Sequence, residues 1–290
     1  WFTSSLTPQI GSGWLLDPER HAKLFPADLR PQSHEIIRTW AFYTVVKAML
    51  HEDSIPWRHV VISGWILDPD RKKMSKSRGN VVTPMHLLEQ YSADAVRYWA
   101  ASARLGVDTA FDEKIFKVGK RLVTKLYNAS KFVLSQTGEL RPISNELDRA
   151  FLGELRMLVE SATRDFEAFD YARALQEIES FFWSRFTDSY LELVKARARL
   201  EEDADGRGSA VASLRLALAV LLRLFAPFLP FITEEIWSWV FAKEREEPSI
   251  HSASWPRAEE LTAAGKPEDA ASFRIAVAAL GAVHKAKAEA

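Results

Sequence analysis

The sequence predicts a mainly α-helical protein with a smaller α/β part in front. From Phe111 onward, apolar residues recur at helical spacing with few breaks. Before Phe111, a β-branched run, helix patterns and turn signals alternate. Size allows both parts, since 290 residues with 47% apolar content can bury two sizeable cores. The formal net charge of −1 gives no global basic field, so any nucleic-acid contact must come from a local patch. With no cysteine, disulfides and Cys-ligated zinc are excluded. The most apolar stretch, 214–232, is interrupted by Arg215, Arg223, Pro227 and Pro230, so no membrane span is expected. No signal-peptide pattern is visible, and the chain opens on Trp1 rather than Met, as expected of a piece of a longer protein.

The elements follow in order. Ser33 is placed to cap a helix over 33–52, with Ile36, Ile37, Trp40, Ala41, Thr44 and Ala48 on one face. His59-Val60-Val61-Ile62 reads as a buried strand, and Asp68-Pro69-Asp70 as a turn. Thr83 and Pro84 read as N-cap and first residue of a short helix, and Ser92 as the cap of another over 93–99. Later breaks fall at 138–144, 169–170, 201–208, 227–230 and 246–256, with 203–208 a solvated loop. Five helices with short connections fit an antiparallel bundle, and a last helix covers 268–290.

Two features carry candidate chemistry. After the turn at 68–70, Arg71, Lys72, Lys73 and Lys76 alternate with Ser75, Ser77 and Gly79. Lysines neutralise a polyphosphate as point charges, while hydroxyls and loop N–H groups donate hydrogen bonds to it. The plain alternative is a solvated basic loop. On the helix after Phe111, Ile115, Val118, Leu122, Leu126, Ala129 and Val133 form a stripe expected to be buried. Lys114, Lys117, Arg121, Lys125, Asn128 and Phe132, with Lys131 beside them, lie about 100° away on a face expected to be exposed or half-exposed. Cations for phosphates and a ring for an unstacked base suit a single-stranded RNA loop. An ordinary solvated face is the alternative.

The run Lys73-Met74-Ser75-Lys76-Ser77 resembles the KMSKS signature of class I aminoacyl-tRNA synthetases. Its lead-in Gly64-Trp65-Ile66-Leu67-Asp68 and trailer Gly79-Asn80-Val81-Val82-Thr83-Pro84 are similar to those of the valine, isoleucine and leucine enzymes. The resemblance implies a loop that closes over ATP, with Lys76 stabilising phosphate charge and Lys73 supporting it as the second catalytic lysine. Gly64, Met74, Ser75 and Ser77 would line the nucleotide, and Glu35 falls where relatives place an acidic residue near the ribose. ATP is expected with Mg2+, without a protein-bound metal.

Lys125 and Asn128-Ala129-Ser130-Lys131-Phe132 are similar to the segment that opens the anticodon-binding bundle of the valine enzymes. That similarity assigns tRNA contact to Lys114, Lys117, Arg121, Lys125, Asn128, Lys131 and Phe132. The strings 224–237 and 249–256 also match that bundle. Trp1-Phe2-Thr3-Ser4-Ser5 resembles a string of the same enzymes, which implies a valine pocket of Trp1, Ile36 and Trp40. Read without the family, both tryptophans are equally plain core residues.

The implied architecture is the second part of a Rossmann-like nucleotide fold (1–63), a KMSKS and stem-contact region (64–110), an anticodon-binding helical bundle (111–262) and a linker helix (268–290). The seven histidines include no His-x-Gly-His spacing, so this stretch alone is expected to be inactive in adenylation. The implied partners are valine tRNA, ATP and valine, in a cytoplasmic, monomeric enzyme. An RNA-binding module of an isoleucyl or leucyl enzyme and a structural helical scaffold are the alternatives.

Overall fold

The structure, a computed structural model, describes residues 2–136 and 138–289. It is mostly helical, with two small parallel sheets. The chain forms two compact units. One holds the residues up to Val82 together with Ala103–Asp112; the other holds Thr83–Ser102 and everything from Glu113 on.

In the first unit a 3-10 turn, Ser4–Leu6, leads into α1 (Thr7–Ser12) and α2 (Pro18–Leu24). Strand β1 (Ala27–Ser33) pairs in parallel with β2 (Trp57–Ser63), in register from Ala27 opposite Trp57 to Ser33 opposite Ser63. Between them run a 3-10 turn (His34–Ile36), a π turn (Ile37–Ala41) and α3 (Phe42–Glu52). Strands β3 (Ile66–Leu67) and β4 (Thr109–Ala110) form the second parallel pair. Ser12 Oγ lies 2.7 Å from His21 Nδ1, and His21 Nε2 lies 2.6 Å from Glu52 Oε2, a chain that staples α1, α2 and α3.

Three expectations change here. Ser33 ends a strand and no side-chain hydrogen bond caps the turn after it. The π turn takes more residues per revolution than an α-helix, so the apolar face slips. Trp40, Thr44 and Ala48 are buried as expected, but Ile37 is 48% exposed. Strand β2 forms, yet Arg58, His59 and Val60 are exposed in succession, Val60 at 40%, so neither face of this two-stranded sheet is fully covered along β2.

The second unit begins with α4 (Met85–Tyr91) and α5 (Ala93–Ala101). Pro84, one residue later than expected, is the N-cap of α4, and no side-chain hydrogen bond caps it. Ser92 stands at the N-cap of α5 with φ +90°, and its hydroxyl does not cap either. Nearby Asp94, 3% exposed, accepts hydrogen bonds from the backbone amides of Phe231 (3.2 Å) and Ile232 (2.7 Å). The first turn of a helix beginning at Pro230 is thereby satisfied.

Helix α6 (Glu113–Leu134) follows. From Leu122 onward it buries Leu122, Leu126, Ala129 and Val133 as the spacing predicts. Its first half is rotated by one residue: Phe116 and Gly119 are buried, while Ile115 is half-buried and Val118 exposed. Gly119 sits against the Tyr98 ring and Ala95, and an added Cβ would lie 3.0 Å from Tyr98, so this close approach sets the rotation.

Helices α7 (Glu146–Glu167) and α8 (Tyr171–Ser180) are joined at Ala168–Asp170, and α8 continues through a π segment (Phe181–Tyr190) into α9 (Leu191–Val194). Helix α10 (Ala204–Phe225) is long and apolar enough to cross a membrane, but it is the central core helix of the bundle, with Leu214, Leu218, Leu221 and Phe225 at 0% exposure. Its first turn occupies the segment expected to be a loop. Asp203 accepts from the Gly206 amide at 2.8 Å, an N-cap that starts the helix at Ala204 despite two early glycines. Then come α11 (Pro230–Trp239), α12 (Phe241–Glu244), α13 (Glu259–Thr262) and α14 (Ser272–Glu289).

One carboxylate organises this unit. Asp148 is fully buried and accepts from Tyr190 Oη (2.7 Å), Arg197 Nη1 (2.8 Å), Arg197 Nη2 (2.5 Å) and Ser209 Oγ (2.7 Å). Burial, with Asp148 beside it, pushes the Tyr190 hydroxyl well above its ordinary pKa, so it stays a donor. Replacing Asp148 by Ala leaves Arg197 without its charge partner and should cost about 3–5 kcal/mol in urea unfolding of the bundle. Tyr190→Phe, which removes one of several donors, should cost about 1 kcal/mol. Equal costs for the two would show that Asp148 is not the organising group.

A second carboxylate predicts a pH effect. Glu146 accepts from the backbone amides of Asp269 and Glu268, each at 2.9 Å, and these bonds hold its carboxyl below the usual range. A lowered folded pKa stabilises above the unfolded value of about 4.3 and is lost as pH falls through the folded value. Amide exchange at Glu268 and Asp269, corrected for intrinsic rate, should therefore be protected at neutral pH and lose protection in acid. Glu146→Ala should abolish the protection at both.

Candidate functional site

The candidate site forms where the parallel strands β1 and β2 end, the place where open α/β sheets bind ligands. His34 and Glu35 follow β1; Gly64 and Trp65 follow β2. Gly64 is required by packing, because an added Cβ would lie 2.3 Å from the Val107 carbonyl. Beyond it, the Trp65 amide donates to Asp108 Oδ1 at 2.7 Å. The Trp65 ring rests against His34, with centroids 4.8 Å apart, and its Nε1 donates to Glu35 Oε2 at 3.3 Å. Lys73 Nζ donates to that same oxygen at 2.7 Å and lies 4.3 Å from the Trp65 ring centre. The Lys73 hydrogen bond holds the Glu35 carboxyl below its ordinary range.

The loop carrying the lysines is tied at its base. Asp68, 6% exposed, accepts from the Lys72 amide at 2.8 Å and from Asn80 Nδ2 at 2.7 Å. These bonds, that from Asn80 foremost, hold its carboxyl low. Asn80 Oδ1 accepts from the Ser75 amide at 3.0 Å, and its Nδ2 also reaches the Lys73 carbonyl at 3.3 Å. Met74 is half-buried, and the Ser75 and Ser77 hydroxyls are 3.3 Å apart. Lys76 is exposed and begins a 3-10 turn (Lys76–Arg78) that Gly79 ends at φ +68°. Lys73 and Lys76 are thus treated differently: the first is pinned to Glu35, while the second projects from the loop.

Of the trio expected to line a pocket, Trp1 lies outside the described residues. Ile36 is half-buried. Trp40 is 7% exposed, and its Nε1 donates to the Ser4 carbonyl at 2.9 Å. Its ring stacks with Trp57 (5.9 Å, 13°) and carries the Arg30 guanidinium at 3.3 Å, so a cation stands where only apolar groups were expected.

On α6, Lys114, Lys117, Arg121, Asn128 and Lys131 are exposed, as expected. Lys125 is half-buried, 3.4 Å from Asp188 and 5.2 Å from the Trp183 ring centre. Lys117 pairs with Glu113 at 4.0 Å, and Lys131 lies over the Tyr127 ring. Phe132 is half-buried against the core, with the exposed Arg199 guanidinium 5.4 Å above its ring. Among the described residues no three His, Asp or Glu side chains gather as a metal group.

The sequence reading missed Trp65, Asp68 and Asn80 as site residues, although all three stand in the quoted motif. A carboxylate and an amide bracketing a cationic loop were the available signal. It also missed Arg199, because α6 and residue 199 meet only through tertiary folding.

Comparison with known proteins places these features. Residues 1–112 match the family model for tRNA synthetases class I (I, L, M and V), and residues 148–290 match the anticodon-binding domain of tRNA ligase. The valine–tRNA ligase of Thermobifida fusca is 54% identical over 295 residues, covering 100% of this chain and 33% of that protein. That of Salinispora tropica is 55% identical over 267 residues, covering 90% and 30%, and that of Wolbachia pipientis 52% over 272 residues, covering 90% and 31%. The chain therefore spans about a third of the length of these curated relatives. A LeuRS from Agrobacterium radiobacter, solved as a ternary complex with tRNA and LeuAMS, shares the fold with a TM-score of 0.68 at 24% identity, covering 89% of this chain and 32% of that one. With a synthetase region and an anticodon-binding region in succession, and valine–tRNA ligases matching along its length, the chain belongs to the class I tRNA synthetases.

Proposed function

We propose that this chain is the loop-bearing and tRNA-reading part of a valine–tRNA ligase. The reaction joins valine, ATP and valine tRNA into valyl-tRNA, AMP and diphosphate. The observation that carries this reading is the lysine loop fixed at the carboxyl ends of β1 and β2, with Lys73 held 2.7 Å from Glu35. In the first step the valine carboxylate attacks the α-phosphate of ATP and diphosphate leaves. Lys76, which projects from the loop, meets the negative charge on the phosphates, while Glu35 faces the ribose and Lys73 steadies the loop against it. Gly64, Met74, Ser75 and Ser77 line the nucleotide, and Mg2+ arrives with it. Ile36 and Trp40, with Trp1, are the residues assigned to the valine side chain by the family motif.

The bundle, on this reading, meets tRNA along α6 through Lys114, Lys117, Arg121, Lys125, Asn128, Lys131 and Phe132. Arg199 adds a cation to that face. The enzyme acts as a monomer in the cytoplasm.

Two experiments test the reading in the ligase that carries this chain. Lys76→Ala should slow valine-dependent ATP–pyrophosphate exchange about 10²–10³-fold, with a small change in the KM for valine. Exchange at a near-normal rate would remove Lys76 from its role. Arg121→Ala and Arg199→Ala should weaken binding of valine tRNA and of an anticodon-swapped tRNA alike, each lowering the salt slope by about one. Phe132→Ala should cost about 1–3 kcal/mol for valine tRNA and less for the swapped one. Unchanged binding in all three variants would make this a solvated face.

A further inference from the structure

The base of the lysine loop holds a device that the motif resemblance does not assign. The Asn80 side chain uses both ends of its amide. Its oxygen accepts from the Ser75 amide at 3.0 Å; its nitrogen donates to Asp68 Oδ2 at 2.7 Å and to the Lys73 carbonyl at 3.3 Å. It therefore grips the backbone on both sides of Met74, between the two lysines. Asp68 anchors the grip, because its other oxygen is taken by the Lys72 amide and the residue is 6% exposed. Lys76 is the residue after Ser75, so its Cα position is set by this clasp while its side chain is exposed.

We propose that Asn80, anchored by Asp68, is the positioning residue that fixes where Lys76 is presented to the nucleotide phosphates. The inference rests on the phosphate role proposed for Lys76. The chemistry demands an amide of this length. A carboxylate at position 80 could accept from Ser75 but could donate nothing to Asp68 or Lys73, and it would set two negative charges within hydrogen-bond distance. An alanine would leave the Ser75 amide and the Asp68 carboxylate without this partner. Glutamine adds a methylene, which carries its amide away from the positions that make the 2.7 Å and 3.0 Å bonds.

The test uses the full-length ligase and follows valine-dependent ATP–pyrophosphate exchange between about pH 5.5 and 8.5. Asn80→Asp should lower kcat about 10²-fold at the alkaline end, the scale expected for small misplacements in an active site, with little change in the KM for valine. Its rate should climb toward wild type as pH falls. One proton shared by the two carboxylates raises their apparent pKa and restores a donor between them. The exchanged pair Asp68→Asn with Asn80→Asp should recover most of the rate at the alkaline end and flatten the profile, since the amide and carboxylate have traded places. Asn80→Ala should lose rate at every pH, with thermal unfolding checked to confirm that it folds.

A wild-type rate and a flat profile for Asn80→Asp, alongside a severe defect in Lys76→Ala, would overturn the positioning role and leave the proposed function standing. A normal rate in Lys76→Ala would overturn both. A loss in Asn80→Asp that neither acid nor the exchanged pair relieves would also overturn the clasp, because generic damage to the loop accounts for it.

Discussion

The bundle is arranged around a charge that cannot reach water. Asp148 sits on α7, and its donors arrive from the π segment at Tyr190, from Arg197 and from Ser209 near the start of α10. Burying an ionised carboxylate is costly unless its lone pairs are satisfied, so these segments are constrained jointly. Ser209 passes the constraint on, because its oxygen also accepts from the amides of Ser144 and Asn145 that lead into α7. A hydrophobic core tolerates small slides between helices, whereas this set of bonds does not. The register of α7 against α10 is thereby fixed at the same end of the bundle where the loops at 138–145 and 200–204 close.

The same chemistry works at smaller scale in the first unit. Asp68 is nearly buried, carries its charge among donors, and fixes backbone rather than helices. Beyond it the loop is left exposed: Lys76 and Ser77 lie on the solvent side, while Ser75, held by Asn80, is half-buried. Glu35 and Lys73 form an intermediate layer, half in water, where an ion pair is weak enough to yield to a competing ligand. Burial thus falls off from Asp68 to Lys73 to Lys76, over less than ten residues of chain.

What could be read in the sequence follows from how local each signal is. The second half of α6, the break before Pro230 and the lysine motif depend on neighbours within a turn or two, and all were legible. Strand β1 was not, because Ala-Asp-Leu-Arg-Pro-Gln-Ser has little β preference and is a strand only through pairing with β2. The start of α10 reads as a loop in the sequence because glycines at 206 and 208 outweigh an N-cap whose geometry shows only in the fold. Neither the Asp68–Asn80 bond, spanning twelve residues, nor the stacking of Arg30 on Trp40 leaves a periodic trace.

The π segment Phe181–Tyr190 makes chain length itself a structural variable. A π turn is what an α-helix becomes when it absorbs an extra residue without breaking. Upstream of it Ile178 faces the core, and downstream Val194 does too, so both flanks are phased correctly only because the surplus is taken up between them. Removing the surplus residue from this stretch would let ordinary helical winding return with both flanks still in phase, whereas adding one more that the segment does not absorb would turn Arg197 away from Asp148. Substitutions along 181–190 are judged by size and polarity in the usual way, but a change of length there is read asymmetrically: one residue can be given up, while an unabsorbed extra residue acts on the helix as a screw thread, shifting every later contact by a fixed angle.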